Sequence, residues 1–246
     1  MFKFQLMKTY IPAVLCLLKN RSILLLFSSF FSAPVFAQSG DPGAWTMLTS
    51  QIRLHSKWGI HAEAQFRSYD IKPNTEQLLI RAGVNYHYNP NIIFTAGYGY
   101  ILNFTDDGET FKSQSGDEHR IWQQVLLKSN TGRLFLEHRY RFEERFLHTA
   151  TTDLYKSRIR YLLRASIPLN KKEMVKNTAF LSFYDEIFIH INNAPFDRNR
   201  LYGAAGFQFS SSLNIQAGYL IQTVGTRSKG FLQLAVNFNP DLRKKS

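Results

Sequence analysis

The stretches 136-LEHRYRFEERF-146 and 157-SRIRYLLRASIPL-169 place charge on one parity and apolar or aromatic side chains on the other. In the first, Glu137, Arg139, Arg141, Glu143 and Arg145 alternate with Leu136, Tyr140, Phe142 and Phe146. In the second, Arg158, Arg160 and Arg164 alternate with Ile159, Tyr161, Leu163, Ala165 and Ile167. A period of two marks a β-strand with two chemically opposite faces. In a soluble sheet the apolar face would pack on a core and the charged face would meet water. Here the apolar face carries tyrosines and runs for about ten residues, the length at which a tilted strand crosses a bilayer. The charged face then has to line a barrel interior. A secreted β-sandwich is the alternative, but its strands usually stop at about five or six residues.

The same alternation recurs on both sides of this pair. Strands are expected at about 59–69, 76–88, 91–103, 117–129, 132–145, 154–168, 177–190, 197–209, 212–223 and 229–238. Tight connections at Asn89-Pro90-Asn91, Asn130-Thr131-Gly132 and Ser210-Ser211-Ser212 alternate with longer polar ones at 70–76, 104–116, 146–153, 191–196 and 223–228. The exception is 169–176, on the short side but longer than its peers. Short turns on one side and long loops on the other are how outer-membrane barrels are built. The reading is an all-β, antiparallel transmembrane β-barrel of ten strands, with twelve as the alternative. Ten strands put both ends of the barrel on the periplasmic side. The segment 44-AWTMLTSQIRL-54 also alternates, and counting it gives an odd number. Tyr86, Tyr88, Phe94, Phe207, Phe209 and Phe238 fall near short-turn ends on the apolar parity, as an interfacial aromatic girdle would.

Residues 1–37 lack acids, carry Lys3, Lys8, Lys19 and Arg21, and end in an apolar stretch with Val35 and Ala37 at the small-residue positions. This is an export signal cleaved after Ala37. Its removal takes the single cysteine, Cys16, and with it disulfide and thiolate chemistry. The expected organisation is a signal peptide over 1–37, an N-terminal segment with a candidate extra strand over 38–58, the barrel over 59–238, and a basic periplasmic tail over 239–246.

The elements 119-HRIWQQ-124, 138-HRYRFEERF-146, 158-RIRYLLR-164, 168-PL-169, 184-YDEIF-188 and 197-DRNRLYGA-204 resemble the uncharacterised outer-membrane family catalogued as domain of unknown function 2490. The resemblance covers nearly the whole mature chain. It implies a β-barrel in the outer membrane of a Gram-negative bacterium, and no activity. One departure is that Phe238 is followed by NPDLRKKS, so the terminal aromatic read by the barrel-assembly machinery is internal.

Parity assigns Arg67, Arg81, Arg120, Arg139, Arg141, Arg145, Lys156, Arg158, Arg160, Arg164, Arg198 and Arg200 to the interior, facing Glu63, Glu118, Glu137, Glu143 and Glu186. Charge should crowd the outer mouth, above neutral polar residues such as Gln124, Gln208, Asn214, Gln216, Gln233 and Asn237. Two roles fit: a structural fill or narrow porin-like channel, and an anion-selective passage or binder of small anionic solutes. A hydrolase is the third reading, because Asp106, Asp107, His119, His148, Asp153, His190 and Asp197 lie on or near long loops. No diagnostic spacing joins them, so no catalytic residue, metal or cofactor is assigned. The net charge of +12 does not point to nucleic acid, since most of it aims into the barrel. The expected partners are outer-membrane lipid, lipopolysaccharide and the assembly machinery, with the barrel itself a monomer.

Overall fold

The computed structural model describes residues 41–243 apart from 73, 110 and 192–194. The expected signal peptide lies outside the described residues. The rest is all β: β1 (Gly43–Arg53), β2 (Trp58–Ser68), β3 (Thr75–Asn89), β4 (Ile92–Phe104), β5 (Gln114–Thr131), β6 (Leu134–Thr149), β7 (Asp153–Pro168), β8 (Thr178–His190), β9 (Phe196–Gln208), β10 (Leu213–Val224) and β11 (Arg227–Phe238). Successive strands pair antiparallel, and β1 closes the barrel by pairing parallel with β11.

The count corrects both expected numbers. The segment 44–54 supplies a full strand of the barrel, β1. An up-and-down sheet with an odd number of strands ends on a strand that runs the same way as its first, so closure must be parallel. Gly43 therefore sits at the rim opposite Phe238, and the ends of the barrel do not share one side as ten strands would require.

Local chemistry explains the hairpins. Asn89 Oδ1 accepts the amides of Asn91 and Ile92 at 2.8 Å each, folding the β3–β4 turn. Gly132 (φ 58°) and Gly225 (φ 58°) supply the left-handed positions of the two-residue turns after β5 and β10, where a side chain would be strained. The turn at Gly225 corrects the longer connection expected at 223–228. Strand β6 likewise runs on to Thr149, so only 150–152 separates it from β7. One rim, called here the turn rim, carries 54–57, 90–91, 132–133, 169–177 and 209–212. The loop rim carries 69–74, 105–113, 150–152, 191–195 and 225–226. The contrast in length between the rims is smaller than the sequence suggested.

The parallel seam is short, from Gly43 opposite Phe231 to Thr49 opposite Asn237. It is lengthened by the segment after Phe238. Arg53 N–H donates to Pro240 O at 2.9 Å, Leu242 N–H donates to Arg53 O at 2.8 Å, and Gln51 N–H donates to Asn239 Oδ1 at 2.8 Å. Arg243 hydrogen-bonds Asp241 at 2.6 Å and holds its carboxyl down to about 2. The described part of the tail is thus a clasp on the seam. Inside the seam, Trp45 meets Phe231 edge-on at 5.9 Å, and the Arg67 guanidinium stacks 3.8 Å above its ring. Leu162, Tyr184, Tyr202, Ala204 and Leu220 complete this internal apolar core.

The outer face is apolar around the barrel. Ile80, Val84, Ile121, Ile159, Ile187, Leu201, Leu232 and Leu234 are exposed between two aromatic zones. Trp58, Tyr88, Phe94, Phe209 and Phe238 lie toward the turn rim; Tyr100, Phe146, Tyr155 and Phe196 lie toward the loop rim. Strand β8 keeps Glu186 inside and Asp185 outside, where Asn199 donates to the Asp185 carboxylate.

Candidate functional site

Because side chains alternate across each strand, one parity of all eleven strands converges on the barrel axis. The arginines assigned inward by parity are there, and their carboxylates join them into a network. Glu143, on β6, is its hub and is 0 % exposed. Arg160 Nη1 lies 2.6 Å from Glu143 Oε1 and Arg158 Nη2 lies 2.7 Å from Oε2. Arg81, Arg120 and Arg141 stand at 3.6, 3.6 and 3.7 Å. One carboxylate thus gathers guanidinium groups from β3, β5, β6 and β7.

The network branches from this hub. Glu118 is gripped by Arg145 through two hydrogen bonds of 2.7 Å and by Arg120 at 2.6 Å. Glu186 takes Arg139 and Arg160 at 2.7 Å each, with Arg200 at 3.8 Å. Glu63 pairs with Arg81 at 3.2 Å and accepts hydrogen bonds from Gln65 and His61. Farther toward the turn rim, Arg164 meets Glu137 at 3.2 Å.

Two acids escaped the sequence reading. Asp197, grouped there with loop residues, is buried inside, 2.8 Å from Arg158 and 3.1 Å from Arg198. It shares parity with the outward Asn199 and Leu201, and the irregularity opposite Phe188/Ile189 turns it inward, so parity pointed the wrong way. Glu76 reaches Arg67 at 3.2 Å from beside the bulge at Arg67/Ser68, which breaks parity and hides the pairing from sequence. Conversely, Lys156 is exposed at the loop rim and does not join the network. Among the described residues the ion-paired interior set is therefore eleven arginines with seven carboxylates.

Aromatic rings fill the gaps between the charges. Trp122 lies between Arg81 and Arg141, whose guanidinium carbons are 5.4 and 4.7 Å from its ring. It fits because Gly83 and Gly97 face it: a Cβ on either would come within 3.1 Å of its ring. Phe188 lies under Arg158, Arg160 and Arg200 at 5.0, 4.3 and 4.7 Å. Both rings share parity with charged neighbours, Arg120 and Glu186, so their inward aim was legible but went unread. Arg141 is 2 % exposed, with Gln124 accepting two of its N–H groups at 3.0 and 2.7 Å. Trp122 and Phe188 are fully buried among these charges.

Toward the turn rim more of the lining is neutral, although Arg164 and Glu137 still belong to it. A cavity of about 860 Å³ follows the interior, lined toward the turn rim by Thr49, Ser166, Ser182, Asn214, Gln216 and Asn237, and continuing beside Arg120, Arg145, Arg158 and Arg198 of the network. The buried Tyr202 hydroxyl, Arg139 Nε, Arg164 Nε and Gln216 Oε1 have no hydrogen-bond partner among the described residues.

The residues weighed for hydrolysis fall into separate groups. His190 lies inside, 3.7 Å from Asp197. Asp106 accepts a 2.7 Å hydrogen bond from Asn74 and serves the loop. Asp117, His119 and His148 lie together on the outer face. A Ser–His hydrogen bond among the described residues joins Ser56 to its neighbour His55, exposed at the opposite rim.

A family model described as protein of unknown function (DUF2490) matches residues 42–232. No curated protein and no solved structure matches the chain.

Proposed function

The chain belongs to the DUF2490 family, and from that premise we propose an outer-membrane β-barrel blocked at mid-height by its own ion-pair network. The cavity beside that network, neutral-lined toward the turn rim, would admit water from the periplasmic side. Membrane insertion is supported by the exposed apolar belt and its two aromatic zones. A strand as long as β4, 13 residues, spans roughly 40 Å along itself and roughly 30 Å along the axis of a barrel tilted by about 40°. That matches a hydrocarbon core of about 30 Å. The turn rim then faces the periplasm and the loop rim the outside.

The observation that carries the block is the burial of Glu143 under guanidinium groups from four strands. A hydrated solute crossing this level would have to part ion pairs that the protein has already removed from water. Buried pairs resist such separation because each separated charge is left uncompensated. The role is then structural, with a chamber able to take small solutes from the periplasmic side.

A second reading, a narrow anion passage, is favoured by the excess of arginines over carboxylates, which leaves a positive interior potential. Planar bilayers distinguish the two. The purified barrel should give no conductance steps. Small anion-selective steps, weakened by the double substitution Arg158→Glu with Arg160→Glu, would favour the passage. A large cation-selective conductance would contradict both.

A further inference from the structure

On the outer face, near the loop rim, Asp117 and His119 of β5 and His148 of β6 form a triangle of donor atoms. His119 Nε2 is 3.3 Å from Asp117 Oδ2, and His148 Nδ1 is 3.5 Å from the same oxygen. All the donor atoms lie within 4.8 Å of one another. The strand register builds this arrangement. Asp117 and His148 are directly opposed, and His119 is two residues along the same face of β5. Directly opposed β-carbons lie about 5 Å apart, close enough for short side chains to converge on one point. We propose that this triangle is a surface site for a divalent transition-metal ion, with zinc as the representative.

The choice of metal follows from the donors. Two imidazoles and one carboxylate suit zinc, copper or nickel, whereas magnesium and calcium require mostly oxygen ligands. Bonds of about 2.0–2.2 Å around one ion place tetrahedral donors a little over 3 Å apart. The Asp117–His119 and Asp117–His148 distances are already near that value. Ring rotation alone would close the remaining gap between the imidazoles, whose centroids are 5.3 Å apart.

A second observation comes from behind the triangle. The Tyr98 hydroxyl hydrogen-bonds His119 Nδ1, so the ring is held with Nε2 toward Asp117. With a metal bound, Nδ1–H would donate to the Tyr98 oxygen, the outer-sphere contact that orients a metal-bound imidazole. Tyr100 packs on the same ring at 5.1 Å. Asp153 is paired with His148 across β6 and β7, in register to offer a further carboxylate. The triangle is only partly exposed, and its open side leaves one position for water or an exogenous ligand.

The test uses the full mature chain, without a histidine tag, folded in detergent and titrated with zinc chloride or cobalt chloride. One zinc per chain should bind in the micromolar range, and cobalt should give a visible d–d band. His148→Ala and Asp117→Asn should abolish stoichiometric binding, and Tyr98→Phe should weaken it about 10-fold. His190→Ala, at the interior histidine, should leave it unchanged. If His148→Ala fails to fold, as judged by heat-modifiable gel mobility, His148→Gln replaces it. No binding at submillimolar zinc, or binding indifferent to these substitutions, overturns the proposal.

Discussion

Replacing Glu143 with leucine should destabilise the barrel by about 3–5 kcal/mol, the range for breaking a buried ionic group by removing one partner. Arg158 and Arg160 would lose direct hydrogen bonds to it, and Arg81, Arg120 and Arg141 their shared counter-charge. These guanidinium groups are buried, so water cannot readily replace the carboxylate. The next residue supplies the control. Glu144 points to the outer face, where its carboxylate accepts a hydrogen bond from Tyr155 at 3.1 Å, so Glu144→Gln should change little. Urea unfolding in detergent, followed by tryptophan fluorescence and gel mobility, separates the two. Equal midpoints for Glu143→Leu and the unmodified protein would mean that the hub contributes nothing to the barrel.

The second large effect should come from Ile159→Arg. Ile159 is 47 % exposed on the apolar belt and lies between Phe142 and Ile189 on the neighbouring strands. It stands near the middle of β7, where a lipid-facing arginine costs about 2–4 kcal/mol. Its neighbours Arg158 and Arg160 occupy the same depth at no such cost because they face the network. Folding into vesicles should therefore be impaired by Ile159→Arg and unaffected by Ile159→Leu. A silent Ile159→Arg would mean that this face does not meet lipid.

Much of this was legible in the sequence because parity is a local property. Once β6 and β7 were read as two-faced strands, the inward aim of Arg139, Arg141, Glu143, Arg158, Arg160 and Arg164 followed. The closure was not legible. Whether 44–54 joins the barrel depends on its pairing with a strand nearly two hundred residues away, and alternation within the segment carries no such information. A preference for even strand counts argued for the wrong number. The pairing of Glu76 with Arg67 was hidden by one bulge, and that of Asp197 by another, which turns it inward against its parity. Asp117, His119 and His148 were singled out only in part. Asp117 and His148 face each other solely through the β5–β6 register, fixed by the turn at Gly132.

The central claim is that the apolar belt meets lipid, and cell fractionation tests it most directly. Expressed from its full sequence in a Gram-negative host, the protein should band with the dense outer membrane on a sucrose gradient. It should also migrate faster on a gel when unboiled than when boiled, as a closed barrel that resists detergent does. Recovery of a folded protein in the soluble periplasmic fraction, with mobility indifferent to heating, would contradict the account.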